Sequence, residues 1–150
     1  MRFHLIDRVE SWEPGRSVRG RKLTSLSEEY WERSAGGELE MPLPFVLEAL
    51  CQAGTWLVMI TTERRRRAAL LSVGTVEWLR PVRPGDVLVM DCEVQSMGKE
   101  SVVVSGRVTV DDDPVLTAED VMCALIAADE LDEPDEMERL QRMLTTGTRR

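Results

Sequence analysis

MPLPFVLEALCQAGTWLVMI, residues 41–60, decides how the rest of the chain is read. Almost every residue in it is apolar; the functional side chains that interrupt it are Glu48, Gln52 and Thr55. At about 100° per residue these three fall within roughly 60° of one another on a helix, so a polar stripe runs down an otherwise apolar rod. A helix apolar on nearly all sides is a buried helix. A carboxylate within it must be paired, hydrogen-bonded or protonated, because an isolated buried charge is costly. Pro42 and Pro44 hold the preceding segment extended and then suit a helix start, which predicts a helix from about 44 to 62.

Upstream of it, FHLIDRVESW (3–12) and RSVRGRKLTSL (16–26) read as two strands joined by the turn EPG. SEEYWER (27–33) reads as a short helix capped by Ser27 and anchored by Tyr30 and Trp31, and SAGGELE (34–40) as a flexible loop. Downstream, residues 68–79 form a strand apolar on both faces, which predicts a central, covered position. After the Pro/Gly-rich connection RPVRPGD (80–86), in which Asp86 reads as a turn residue, strands are predicted at 87–96, 101–110 and 115–128. The turns between them are MGKE and DDDP. The Ala content of 115–128 also permits a helix, but its place after hairpin-linked strands favours a strand. Residues 132–146 read as a short amphipathic helix with Met137, Leu140 and Leu144 on one side. The fold class is therefore α+β: an antiparallel sheet of about six strands wrapped around one long central helix, with a short C-terminal helix. The domain spans 1–128, and 129–150 is an acidic extension.

The 150-residue length suits one domain with a sizeable core. The net charge of −8 argues against general nucleic-acid binding. It is unevenly spread: 129–138 is strongly acidic, and Arg64, Arg65, Arg66 and Arg67 form a basic run that suits the last turn of a helix. The N-terminus has no long apolar secretory region, and Glu48 and Gln52 interrupt the only stretch of membrane-spanning length, so the cytoplasm is the expected compartment and no membrane partner is expected. Cys51, Cys92 and Cys123 form no CxxC pair and read as free buried thiols. With His4 as the only histidine, no metal or other cofactor is expected. Trp56, Trp78 and the methionines read as core.

Four strings in order resemble the hot-dog fold 3-hydroxyacyl-acyl carrier protein dehydratases: FHLIDRV at the opening strand, MPLPFVLEALCQAG at the central helix, RPVRPGDVLVMDCEV after it and AEDVMCALI at the closing strand. The resemblance covers roughly residues 3–128. It implies a dimer joined sheet edge to sheet edge, an acyl carrier protein or acyl-CoA thioester as the molecule acted on, and a site shared across the interface. In that family a histidine from one subunit works with a helix carboxylate from the other. Glu48 matches the carboxylate, and Gln52 matches a supporting glutamine one turn later. The histidine has no match: Ser34 or Arg33 stands at its place, and neither is a general base near neutral pH. The family's glycine at the helix start is Leu43 here, followed by Pro44, which has no N–H to donate. Leu43, Pro44, Ser34 and Arg33 are thus the expected substrate-facing positions.

Three functions fit these residues. The first is a dehydratase subunit that supplies Glu48 to a composite site completed by a related partner, in a homodimer or heterodimer of fatty-acid or polyketide assembly. The second is a hot-dog thioesterase in which Glu48 activates water. The third is a non-catalytic subunit that binds an acyl chain or an acidic carrier protein, with Arg64–Arg67, Arg80 and Arg83 as a docking patch.

Overall fold

A computed structural model describes residues 3–147. In chain order the elements are β1 (Arg8–Glu13), β2 (Ser17–Leu23), β3 (Glu32–Arg33), β4 (Leu39–Glu40), α1 (Leu43–Thr61), β5 (Arg66–Trp78), β6 (Val87–Met97), β7 (Ser101–Val110), β8 (Asp113–Ala127), a 3₁₀ turn (Ala128–Glu130) and α2 (Pro134–Thr145). Six strands form one antiparallel sheet in the order β1-β2-β6-β7-β8-β5, and β3 and β4 pair as a separate small hairpin.

The sheet curls around α1, which packs on β2, β5, β6 and β7. Alternation explains this: Leu88, Met90 and Cys92 of β6 and Val102, Val104 and Val108 of β7 point at the helix, which answers with Val46, Ala49, Leu50, Ala53 and Leu57. Close approach depends on glycine. A Cβ on Gly106 would lie 2.5 Å from the Asp91 carbonyl oxygen and 2.9 Å from Leu50 Cδ1, so no other residue fits without moving the strand. By length and composition alone α1 could cross a membrane, but here it is the core helix on which the sheet closes.

α1 ends in a Schellman motif. Glu63 donates its N–H to Ile60 O at 3.3 Å and Arg64 to Met59 O at 2.6 Å, with Glu63 and Arg64 both at positive φ. The helix therefore stops before the arginine run. Its last turn carries no basic residue; Arg64 belongs to the cap and Arg66 and Arg67 to β5. At 111–112 two aspartates in the left-handed region make a two-residue hairpin turn, so Asp113 and Pro114 open β8 and do not belong to the turn.

Further expectations are corrected. Segment 27–33 is not a helix. Trp31 Nε1 donates to Ser25 O at 2.8 Å, and the Tyr30 ring packs against Phe3 and Phe45 with centroids 6.2 and 5.7 Å away. These tertiary contacts hold the segment as turns leading into β3. The second correction concerns β5, which is an edge strand and not a central one. Leu70, Leu71 and Leu79 are exposed, as is Trp78, which is therefore not core.

Candidate active site

At its first turn α1 has no side-chain cap. Met41 donates its N–H to Val82 O at 2.8 Å, which ties the helix start to the β5–β6 connection. Pro44 has no N–H and Phe45 donates its N–H to Pro42 O at 2.9 Å, so the uncapped first turn presents the Leu43 N–H and the positive end of the helix dipole. There a cleft of about 430 Å³ opens, lined by Arg33, Ser34, Leu43, Trp78, Leu79 and Arg80 among others. Leu43 and Pro44 are both exposed at this end.

Glu48, Gln52 and Thr55 line a different cleft, of about 480 Å³. Gln52 organises it. Its Nε2 donates to Glu48 Oε1 at 2.9 Å and to Phe3 O at 3.0 Å, while its Oε1 accepts the Leu5 N–H at 2.8 Å. One side chain thus holds the carboxylate and clamps the segment that precedes β1. Glu48 is not buried, contrary to what the apolar helix predicts: the sheet covers one side of α1, and the polar stripe faces the open side. The stripe geometry itself is as expected, with all three side chains in one cavity.

His4 also lines this cleft, brought there by the clamp on its neighbours Phe3 and Leu5. Sequence reasoning left it in the first strand; nothing local to residue 4 signals a partner 44 positions away. Cys51 and Cys123 complete the polarizable part of the lining. Burial, then the Glu48 charge, then Cys123 push the Cys51 thiol up to about 12, so it is a neutral thiol at physiological pH and no nucleophile. Among the described residues no three of His, Cys, Asp and Glu are grouped as a metal would require.

The arginines do not form one surface. Arg64–Arg67 and Arg80 lie at opposite ends of the 13-residue strand β5, roughly 40 Å apart along an extended chain. Several already have partners: Arg67 with Asp132, Arg83 with Glu38, Arg80 with Asp113 at 3.2 Å and Arg64 with Gln141 at 3.2 Å. Only Arg80 and Arg33 share the cleft at the helix start.

Comparison with known proteins agrees with this architecture. A Syntrophotalea carbinolica protein, 3-hydroxyacyl-acyl-carrier-protein dehydratase FabZ, is 32% identical over 119 residues, covering 78% of this chain and 81% of its own. The protein of the same name from Latilactobacillus sakei is 33% identical over 116 residues, covering 77% and 83%. Among solved structures, the dehydratase heterocomplex ApeI:P from Xenorhabdus doucetiae superposes with a TM-score of 0.64 at 16% identity, covering 91% of this chain and 88% of that one. A Streptococcus mutans protein bound to acetyl-CoA gives 0.61 at 20% identity, covering 85% and 92%. At those identities the two structures share the fold. A model of the FabA-like domain matches residues 1–119, and with the dehydratase relatives above 30% identity it places this chain in the FabA-like family.

Proposed function

We propose that this chain takes part in the dehydration of 3-hydroxyacyl thioesters carried on acyl carrier protein, in fatty-acid or polyketide assembly. Glu48 supplies one acid–base group, and a second hot-dog subunit supplies the other. The observation that carries this reading is the position of Glu48: a hydrogen-bonded carboxylate on the central helix of a FabA-like chain, facing a cleft. Dehydration removes a proton from C2 and expels the C3 hydroxyl as water, leaving a 2-enoyl thioester. One group must accept the proton and one must protonate the leaving hydroxyl. The Leu43 N–H at the uncapped start of α1, with the positive end of the helix dipole, would polarise the thioester carbonyl.

The partner enters for a geometric reason. Arg33 and Ser34, at the place of the family's histidine, line the helix-start cleft and not the cleft of Glu48. A site built from both clefts therefore needs two chains. The exposed apolar residues of β5 suit that pairing, because an uncovered edge strand of 13 residues is an invitation to another strand. Three free thiols fit a cytoplasmic location.

The test is turnover of a 3-hydroxyacyl-acyl carrier protein by the purified chain, alone and mixed with a related hot-dog subunit that carries the histidine. The mixture is expected to be active and the lone chain inactive. Glu48→Gln is expected to lower the mixture's turnover by roughly 10²–10⁴-fold; full turnover by that variant sinks the proposal. The exposure of Glu48 favours one second reading, hydrolysis of an acyl thioester by water activated at this carboxylate. Release of free acid by the lone chain would replace the first reading with the second.

A further inference from the structure

The element that closes the Glu48 cleft lies outside the residues matched to the family. The match ends at residue 119, whereas α2 spans Pro134–Thr145. α2 is fixed in place from several sides. Asp132, just ahead of it, pairs with Arg67 at the start of β5, and Gln141 accepts from Arg64 Nη1 at 3.2 Å. Met137 and Leu144 are buried, and the helix packs on β1. It therefore lies across the side of α1 that the sheet leaves open.

Its apolar side does more than anchor it. Met137, Leu140 and the preceding Leu131 line the same cleft as Glu48, facing Trp56 and Met59 of α1 and Leu70 of β5. The cleft is chemically graded along α1. At one end stand Glu48, Gln52 and His4; at the other, Met59 with Leu131, Met137 and Leu140, beside Arg67 and Asp132, which neutralise each other as an ion pair. Eleven residues separate Glu48 from Met59, about 16 Å at the helical rise. A polar, reactive end joined to an apolar end at that spacing matches a molecule with a polar head and a linear hydrocarbon tail.

We infer that α2 is a specificity element: it forms the far wall of the acyl-tail site, and Leu131 and Leu140 set the length of chain accepted at Glu48. This rests on the proposed acyl-thioester function. The tail of the thioester lies against Met59, Met137 and Leu140 while its C2 and C3 atoms lie at Glu48. Without α2 the apolar end of the cleft would be open to water, and each added methylene would gain less on binding.

The experiment titrates the full-length protein with butanoyl-, octanoyl-, dodecanoyl- and hexadecanoyl-CoA by calorimetry. The variants are Leu140→Trp, Leu131→Trp and, as a control on the exposed side of α2, Met143→Trp. Leu131 is half exposed and precedes α2, so its substitution leaves the helix packing intact. Both cleft variants are expected to weaken the longest chain by ~10-fold for every two methylenes displaced, with butanoyl-CoA unchanged within about twofold. Met143→Trp is expected to match the wild type. Binding of all chain lengths with an unmoved length profile in both cleft variants overturns the role of α2 and leaves the proposed function standing. An equal change in Met143→Trp overturns it too. Failure of the wild type to bind any of these thioesters overturns the inference and the proposed function together.

Discussion

Gln52 Nε2 donates to Glu48 Oε1 at 2.9 Å and, with the same nitrogen, to Phe3 O at 3.0 Å, so the candidate catalytic carboxylate and the start of the described chain hang on one side chain. The third bond, from Leu5 N–H to Gln52 Oε1 at 2.8 Å, fixes a residue that is fully buried. Gln52→Ala therefore breaks two things at once. It is expected to cost about 1–3 kcal/mol, chiefly through the partly buried Leu5 N–H left without its acceptor, lowering Tm by several degrees. Any turnover that depends on Glu48 is expected to fall by roughly 10–100-fold, because the carboxylate loses its orientation. Thermal unfolding and kcat measured on one preparation check both effects.

His4 provides a sharp test of where the second acid–base group comes from. It shares the Glu48 cleft within one chain, whereas the proposed mechanism takes that group from a partner. In the active mixture, His4→Ala is expected to lower turnover by less than about threefold. A loss of roughly 10²–10⁴-fold would make His4 the base itself. Running the same variant in the lone chain shows whether any residual activity resides within a single subunit.

Much of this was legible before any coordinates. The unbroken apolar run with two prolines at its head gave α1 to within a residue or so at each end, and period-two alternation gave β6 and β7. The clustering of Glu48, Gln52 and Thr55 on one side of the helix is legible, but the burial expected of Glu48 is not found: the stripe lines an open cleft. The failures share a cause: local pattern shows that a side chain wants cover, not what covers it. Apolar residues in β5 read as central, but they lie at an edge that this chain leaves open. Ser27 followed by acids reads as a helix cap. The aromatic contacts of Tyr30 and the bond from Trp31 to Ser25 O outweigh that weak propensity. His4 and α2 reach the cleft through contacts 47 to 77 positions apart in sequence, which no short window contains.

The buried thiols make stability depend on alkaline pH in a definite direction. Cys92 is 1% exposed, and burial, followed by the nearby Cys51, Cys123 and Glu93, pushes it up to about 12 from an ordinary value of 9.0. Unfolding returns it to the ordinary value. Below pH 9 both states hold the proton and the full contribution is present; between pH 9 and 12 only the folded state does, so stability falls as pH rises. The slope for one such group is up to ~1.4 kcal/mol per pH unit. Denaturant unfolding at a series of pH values from 8 to 11 is expected to show this decline, and Cys92→Ala is expected to make it shallower. Parallel slopes in the two proteins would mean that Cys92 does not retain its proton on folding.

The open edge of the sheet sets the last expectation. Leu71 is 61% exposed and sits where the β5–β8 register shifts between Leu70 and Ser72, with Leu70 itself 51% exposed. A residue this exposed contributes little to the isolated fold, so Leu71→Lys is expected to change the stability of a monomer by no more than about 0.5 kcal/mol. On a paired edge the same substitution puts a charge into an apolar contact, whichever related subunit lies opposite. Leu71→Lys is therefore expected to convert a dimer to monomer in analytical ultracentrifugation while the far-ultraviolet circular dichroism stays unchanged. Because the composite site needs both chains, turnover of the mixture with the histidine-carrying subunit should disappear as the pair dissociates and return as protein concentration is raised. Full activity in a Leu71→Lys monomer would show that one chain holds a complete site, and attention would then move from the interface to His4.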